Sequence, residues 1–122
     1  PAAAAFGWMV LEWIDQKRPT LLGLLSGLVG GLVAVTPAAG FVDPKGAFLI
    51  GLVGGPACYA GSVWLKRALK YDDSLDAFGI HGVGGIVGAV LTGLLATASI
   101  NALSEGADVV NQILGLLAVI VW

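Results

Sequence analysis

Charge is what this sequence has least of. Only 11% of its 122 residues are Asp, Glu, Lys or Arg, against 57% hydrophobic residues and a mean hydropathy of +0.92. A soluble domain of this size needs far more charge on its surface, so the composition excludes that class and points to an integral membrane protein. Cysteine is nearly absent as well. Cys58 stands alone, which excludes an intrachain disulfide, and its apolar surroundings mark it as a small core hydrophobe. The net charge of −2, with no basic cluster, gives no footing for nucleic acid.

Histidine is equally scarce. His81 is the single one, and no Cys, His or carboxylate set near it has the spacing of a metal or haem site, so no metal and no cofactor are expected. No Ser-His-Asp or Cys-His arrangement is present, and no catalytic residue or enzyme activity is expected. A signal peptide is excluded too. No basic stretch precedes the first apolar run, and Glu12 and Asp15 follow it where a cleavage site would stand. Pro1 in place of an initiator Met, and Trp122 inside an apolar run, are read as two cut ends of a longer polytopic protein.

What is present is a succession of apolar runs. They predict an all-α, polytopic transmembrane helical bundle, a single membrane domain over 1–122 with spans at about 1–14, 20–42, 46–65, 76–99 and 109–122. The complete spans have the ~20 residues that roughly 30 Å of hydrocarbon requires. Trp8 and Trp13, near the exit of the first run, fit an interfacial belt. Pro19 suits the opening turn of the second helix, and Thr36-Pro37 should bend or loosen its far end. Asp43-Pro44-Lys45-Gly46 reads as a tight turn.

Basic residues fix the orientation. Lys17 and Arg18 lie in the first loop and Lys66, Arg67 and Lys70 in the third, whereas the second holds Lys45 alone. That alternation puts loops 15–19 and 66–75 in the cytoplasm. Glycine recurs every fourth residue at Gly23, Gly27 and Gly31, at Gly51 and Gly55, and at Gly84 and Gly88, where Thr92 and Ala96 continue the row. Small residues at that period make flat faces on which helix backbones approach closely in lipid. These faces need partners, so the 122 residues are not expected to fold alone.

The polar exceptions carry the functional question. His81 sits among glycines at the start of the fourth run, and an ionisable group at membrane depth is a functional candidate. It reads either as a packed interhelical hydrogen-bond partner or as a pathway residue. Burial would favour its neutral form, which can donate one hydrogen bond and accept another. At α-helical spacing Ala77, His81, Gly84 and Gly88 share one face. Asp76 reads either as an acceptor for the orphan N–H groups of the helix start or as a group ordering polar residues along a pathway. Ser26, alone among apolar residues, reads either as a hydroxyl bonded back to its own helix or as a partner of such a pathway.

The stretch Asp72-Asp73-Ser74-Leu75-Asp76-Ala77-Phe78-Gly79-Ile80-His81-Gly82-Val83-Gly84-Gly85-Ile86-Val87-Gly88 resembles the signature of the tenth helix of the ammonium transporter (Amt/Rh) family. Pro19-Thr20-Leu21-Leu22-Gly23 and Thr36-Pro37-Ala38-Ala39-Gly40-Phe41-Val42 resemble the beginning and end of that family's eighth helix. The resemblance runs over nearly the whole chain. It implies an eleven-helix fold with an inverted five-plus-five repeat, assembled as a homotrimer, of which this chain covers the end of helix seven to the start of helix eleven. It implies that His81 is one of two paired pore histidines, with Val29 and Ala77 lining the apolar pore; Ala77 is smaller than the aliphatic residue usual there. Asp76 matches the aspartate at the cytoplasmic side of that helix, and Ser26 the helix-eight serine it approaches. The implied function is passage of ammonium or ammonia across a membrane, a prokaryotic inner membrane, with the bilayer and a cytoplasmic regulatory protein as further partners. The alternative is an ammonium sensor or a non-conducting structural subunit with the same fold.

Overall fold

The computed structural model describes all 122 residues, Pro1–Trp122, and the chain is wholly helical and loop. Helix α1 spans Ala2–Gln16 and α2 Leu21–Val35, the latter tightening into a 3₁₀ turn at Thr36–Ala38. Helix α3 runs Pro44–Leu69 and α4 runs Phe78–Leu95. A short 3₁₀ turn at Ala102–Ser104 leads to α5, Val109–Val121. Leu21–Ala38, Pro44–Leu69 and Phe78–Leu95 are each long and apolar enough to cross a membrane.

Local chemistry sets the boundaries. Thr20 caps α2, its hydroxyl accepting the Gly23 N–H at 2.9 Å, so Pro19 lies before the cap and not in the opening turn. Asp43 caps α3 by accepting the Gly46 N–H at 2.7 Å, and Pro44 takes the first helical position. The expected tight turn at 43–46 is therefore a helix start, because the aspartate satisfies the very donor a turn would have used. Pro37 does loosen the end of α2, where the 3₁₀ turn replaces α-geometry.

The small-residue faces make the core. A side chain at Gly27 would collide with Trp8 and with the Ala5 backbone, and one at Gly55 with the carbonyl of Ala4, so α1 lies directly on α2 and α3. Ala34, fully buried, is the junction of α2, α3 and α4: the Gly54 face of α3 and the Gly88 face of α4 both close on it. Cys58 is fully buried in a cluster with Trp8, Tyr59 and Ile80, the core hydrophobe its setting indicated. Trp8 departs from expectation. It is 4% exposed and meets Tyr59 edge-on at 5.4 Å, a core residue where an interfacial one was expected; Trp13, 58% exposed, stays outside. The reason is the Gly27 face, which opens room beside α2 that the indole fills.

Two helices contain π-turns, at Ala60–Leu65 in α3 and Phe78–Gly82 in α4, and they pack on each other. Gly79 sits against the backbone and hydroxyl of Ser62, an approach that no side chain at 79 would allow. A π-turn adds a residue to the helical repeat and turns everything before it relative to everything after it.

Candidate functional site: the N-terminal end of α4 and the cavity beneath it

The loop from Lys70 to Ala77 is shaped by its own polar groups. Lys70 and Asp76 both adopt left-handed backbone, with φ of 52°, the conformation L-residues seldom take. Tyr71 donates its hydroxyl to the Gly61 carbonyl at 3.2 Å. Asp73 is 8% exposed, and its carboxylate accepts the N–H groups of Phe78 at 3.2 Å and Gly79 at 3.0 Å. Burial pushes the Asp73 carboxyl up, but the backbone N–H groups of Gly79, Phe78 and Ala77 and the charge of Lys66 outweigh it and hold it below its ordinary 3.8.

Asp73, and not Asp76, thus satisfies the orphan donors of α4. The capping reading of Asp76 is corrected on this point. With its backbone turned left-handed, Asp76 aims its carboxylate at Lys66, whose ammonium donates to Oδ1 at 2.7 Å and also to the Asp73 carbonyl. Asp76 contributes to α4 through its main chain, where its carbonyl accepts the Ile80 N–H at 2.8 Å.

Asp76 and Ser26 do come together. Both line an open cavity of about 300 Å³ between α1, α2, α3 and the start of α4, which Glu12, Thr20, Tyr59 and Trp8 also border. Glu12, 5% exposed, accepts the Thr20 N–H at 3.1 Å and the Thr20 hydroxyl at 2.8 Å. Tyr59 donates to Asp15 at 2.7 Å, and Arg67 reaches the same oxygen at 3.2 Å. The Tyr59 hydroxyl is the largest cause holding the Asp15 carboxyl below its usual range, with the Arg67 charge assisting. Ser26 is half-buried and has no hydrogen bond back to its own helix.

His81, Val29 and Ala77 lie elsewhere. All three are exposed, Val29 to 41%. Within this chain, then, the imidazole is not buried as membrane depth suggested, and it is on the open side of α4. Nor do the four residues at α-helical spacing share a face. Gly84 packs on Cys58 and Val33, and Gly88 on the Ala34 backbone, whereas Ala77 and His81 point outward. The π-turn at Phe78–Gly82, which contains His81, lies between Ala77 and the two glycines, and its extra residue rotates the helix start by about 100° out of α-register.

Asp73, Lys66 and Glu12 were not singled out by sequence reasoning. Asp73 had a readable signal, a carboxylate shortly before the first apolar residues of a helix. Lys66 and Glu12 act across loops and had none.

These elements define a class: a helical membrane protein whose polar groups gather at one end of glycine-faced helices. The family model described as the Ammonium Transporter Family matches residues 1–122, and the chain belongs to that family. It is 54% identical over 107 residues to an ammonium transporter of Bacillus subtilis, covering 88% of this chain and 26% of that protein. The ammonium transporter of Aquifex aeolicus is 44% identical, over 99% of this chain and 30% of its own length. Among solved structures, Saccharomyces cerevisiae Mep2 superposes with a TM-score of 0.87 at 39% identity, over 99% of this chain and 30% of that one. A structure described as a sensor Amt protein superposes with a TM-score of 0.82 at 29% identity, over 96% and 30%. The chain thus spans about a quarter to a third of the length of its relatives. It is an integral membrane protein with a fragment of the ammonium transporter fold.

Proposed function

We propose that this chain forms part of a transporter that passes ammonium nitrogen across a membrane, with His81, Val29 and Ala77 on its conducting path. The observation that carries this reading is an imidazole exposed on a membrane-length apolar helix of a family member, together with exposed Val29 and Ala77. A lipid-facing imidazole would leave its nitrogens unpaired at several kcal/mol per group, so a polar path is the environment that suits it. The remainder of the transporter covers that face and brings a second histidine to His81.

The mechanism follows from solvation. A bare ammonium ion entering an apolar conduit forfeits hydration worth several kcal/mol even after relaxation. Neutral ammonia loses much less. Ammonium therefore gives up a proton before the constriction. Ammonia and that proton pass separately along the path lined by the paired imidazoles, which accept and donate hydrogen bonds. Ammonium re-forms on the far side, so one charge crosses per ammonia. Asp76 and Ser26 border the cavity at the cytoplasmic end, with loops 15–19 and 66–75 on that side. We assign five spans, about 1–14, 20–42, 46–65, 76–99 and 109–122, to a prokaryotic inner-membrane homotrimer that a cytoplasmic protein regulates.

Replacing His81 with Ala in the complete transporter, and recording ammonium-evoked current in liposomes, tests this. A strong loss is expected; unchanged current removes His81 from the path. The similarity to the structure described as a sensor Amt protein favours one second reading, a sensor with the same fold. A long soluble domain after the last helix together with no current from the unaltered protein would decide for sensing.

A further inference from the structure

The cavity shared by Asp76 and Ser26 is acidic and unbalanced on its own. Its lining contains two carboxylates, Glu12 and Asp76, and no basic side chain. Glu12 is engaged by the N–H and hydroxyl of Thr20. Asp76 has one side-chain partner, Lys66, which stands outside the lining and reaches in from the last turn of α3. The same ammonium also holds the Asp73 carbonyl, at the residue whose carboxylate caps α4. Lys66 thereby spans the whole loop between α3 and α4.

The charge arithmetic gives this contact a consequence for transport. A free carboxylate at the mouth of a cavity attracts cations, and one leaving a conduit would linger there. A paired carboxylate is locally neutral. On the transport reading above, we propose that Lys66 is a positioning residue which neutralises Asp76 and so weakens the retention of ammonium in the cytoplasmic cavity. Glu12, held by the neutral donors of Thr20, is left as the one carboxylate of the cavity without a cation beside it. The ion pair is about one-third exposed on each side, which limits its strength. The expected effect of breaking it is accordingly a modest factor, about two- to fivefold.

The test uses the complete transporter in right-side-out vesicles, with ammonium chloride on both sides. Lys66→Met should lower by about two- to fivefold the inner ammonium concentration that halves uptake, with little change in the rate at zero inner ammonium. Lys66→Arg, which keeps the charge with a different shape, should restore the original value. The double variant Lys66→Met/Asp76→Asn, which removes both charges and the tie together, should restore it as well. Rescue by Arg alone would overturn charge neutralisation in favour of a purely structural tie, and an unchanged inner-side inhibition in Lys66→Met would overturn the role of Lys66 altogether. Absence of transport by the unaltered protein would overturn the transport reading instead, which separates the two failures.

Discussion

The Asp73 carboxylate takes the Gly79 N–H at 3.0 Å, fixing where α4 begins and hence which way His81 faces. Because the carboxyl is held below 3.8 in the fold, it adds stability that is complete above the unfolded value of about 3.9 and is lost as pH falls through the depressed one. Protection of the Phe78 and Gly79 amides against hydrogen exchange should therefore be constant from neutral pH to about pH 5 and should decline below about pH 4. Asp73→Asn should flatten that acid limb. Coincident profiles for the two proteins would show that the carboxylate does not stabilise the helix start.

Glu12 and Thr20 join α1 to α2 across the first loop through two accepted hydrogen bonds, and Glu12 is almost wholly buried. Glu12→Ala leaves the Thr20 N–H and hydroxyl without their acceptor, at a cost of about 1–3 kcal/mol. Glu12→Gln retains one acceptor oxygen and should lose about half as much. Thermal unfolding in detergent measures both, and equal melting points for all three proteins would refute the clamp.

Ser62 makes the opposite prediction. Its hydroxyl is buried between the two π-turns with no hydrogen-bond partner, so the fold bears a desolvation cost without return. Ser62→Ala should leave the protein unchanged or stabilise it by up to about 1 kcal/mol. A clear destabilisation in the same unfolding experiment would mean that the hydroxyl has a partner when the protein is in its membrane.

What could be read from the sequence follows from how local each signal is. The four-residue glycine rows foretold close helix approach because small side chains act wherever they lie on a face, and Gly27, Gly55 and Gly88 each meet a neighbouring backbone. Pro37 and Cys58 were legible for the same reason. The site was less so. Asp73 and Asp76 are three residues apart and chemically identical, and only the left-handed turn at Asp76 decides that the first caps while the second pairs with Lys66. The outward direction of His81 depends on a π-turn that α-spacing does not anticipate, since the turn is set by packing Gly79 against Ser62. The burial of Trp8 was not legible because the groups that receive it, the Gly27 face and Tyr59, lie on helices remote from it in sequence.

Ala34 offers a test of the packing that separates side-chain from backbone contact. A Cβ at Gly54 would stand 2.7 Å from the Ala34 methyl, whereas one at Gly88 would overlap the Ala34 carbonyl. Gly54→Ala and Gly88→Ala should each destabilise, by about 1–3 kcal/mol, because overpacking outweighs the gain in helix propensity of up to about 1 kcal/mol. Ala34→Gly removes the methyl but leaves the carbonyl in place. It should therefore rescue Gly54→Ala, with a favourable coupling of about 1–2 kcal/mol in a double-mutant cycle, and leave Gly88→Ala uncoupled within about 0.5 kcal/mol. Equal rescue of both would mean that α4 rests on the Ala34 methyl and not on the α2 backbone, and that the close approach of these two helices is looser than the glycine row implies.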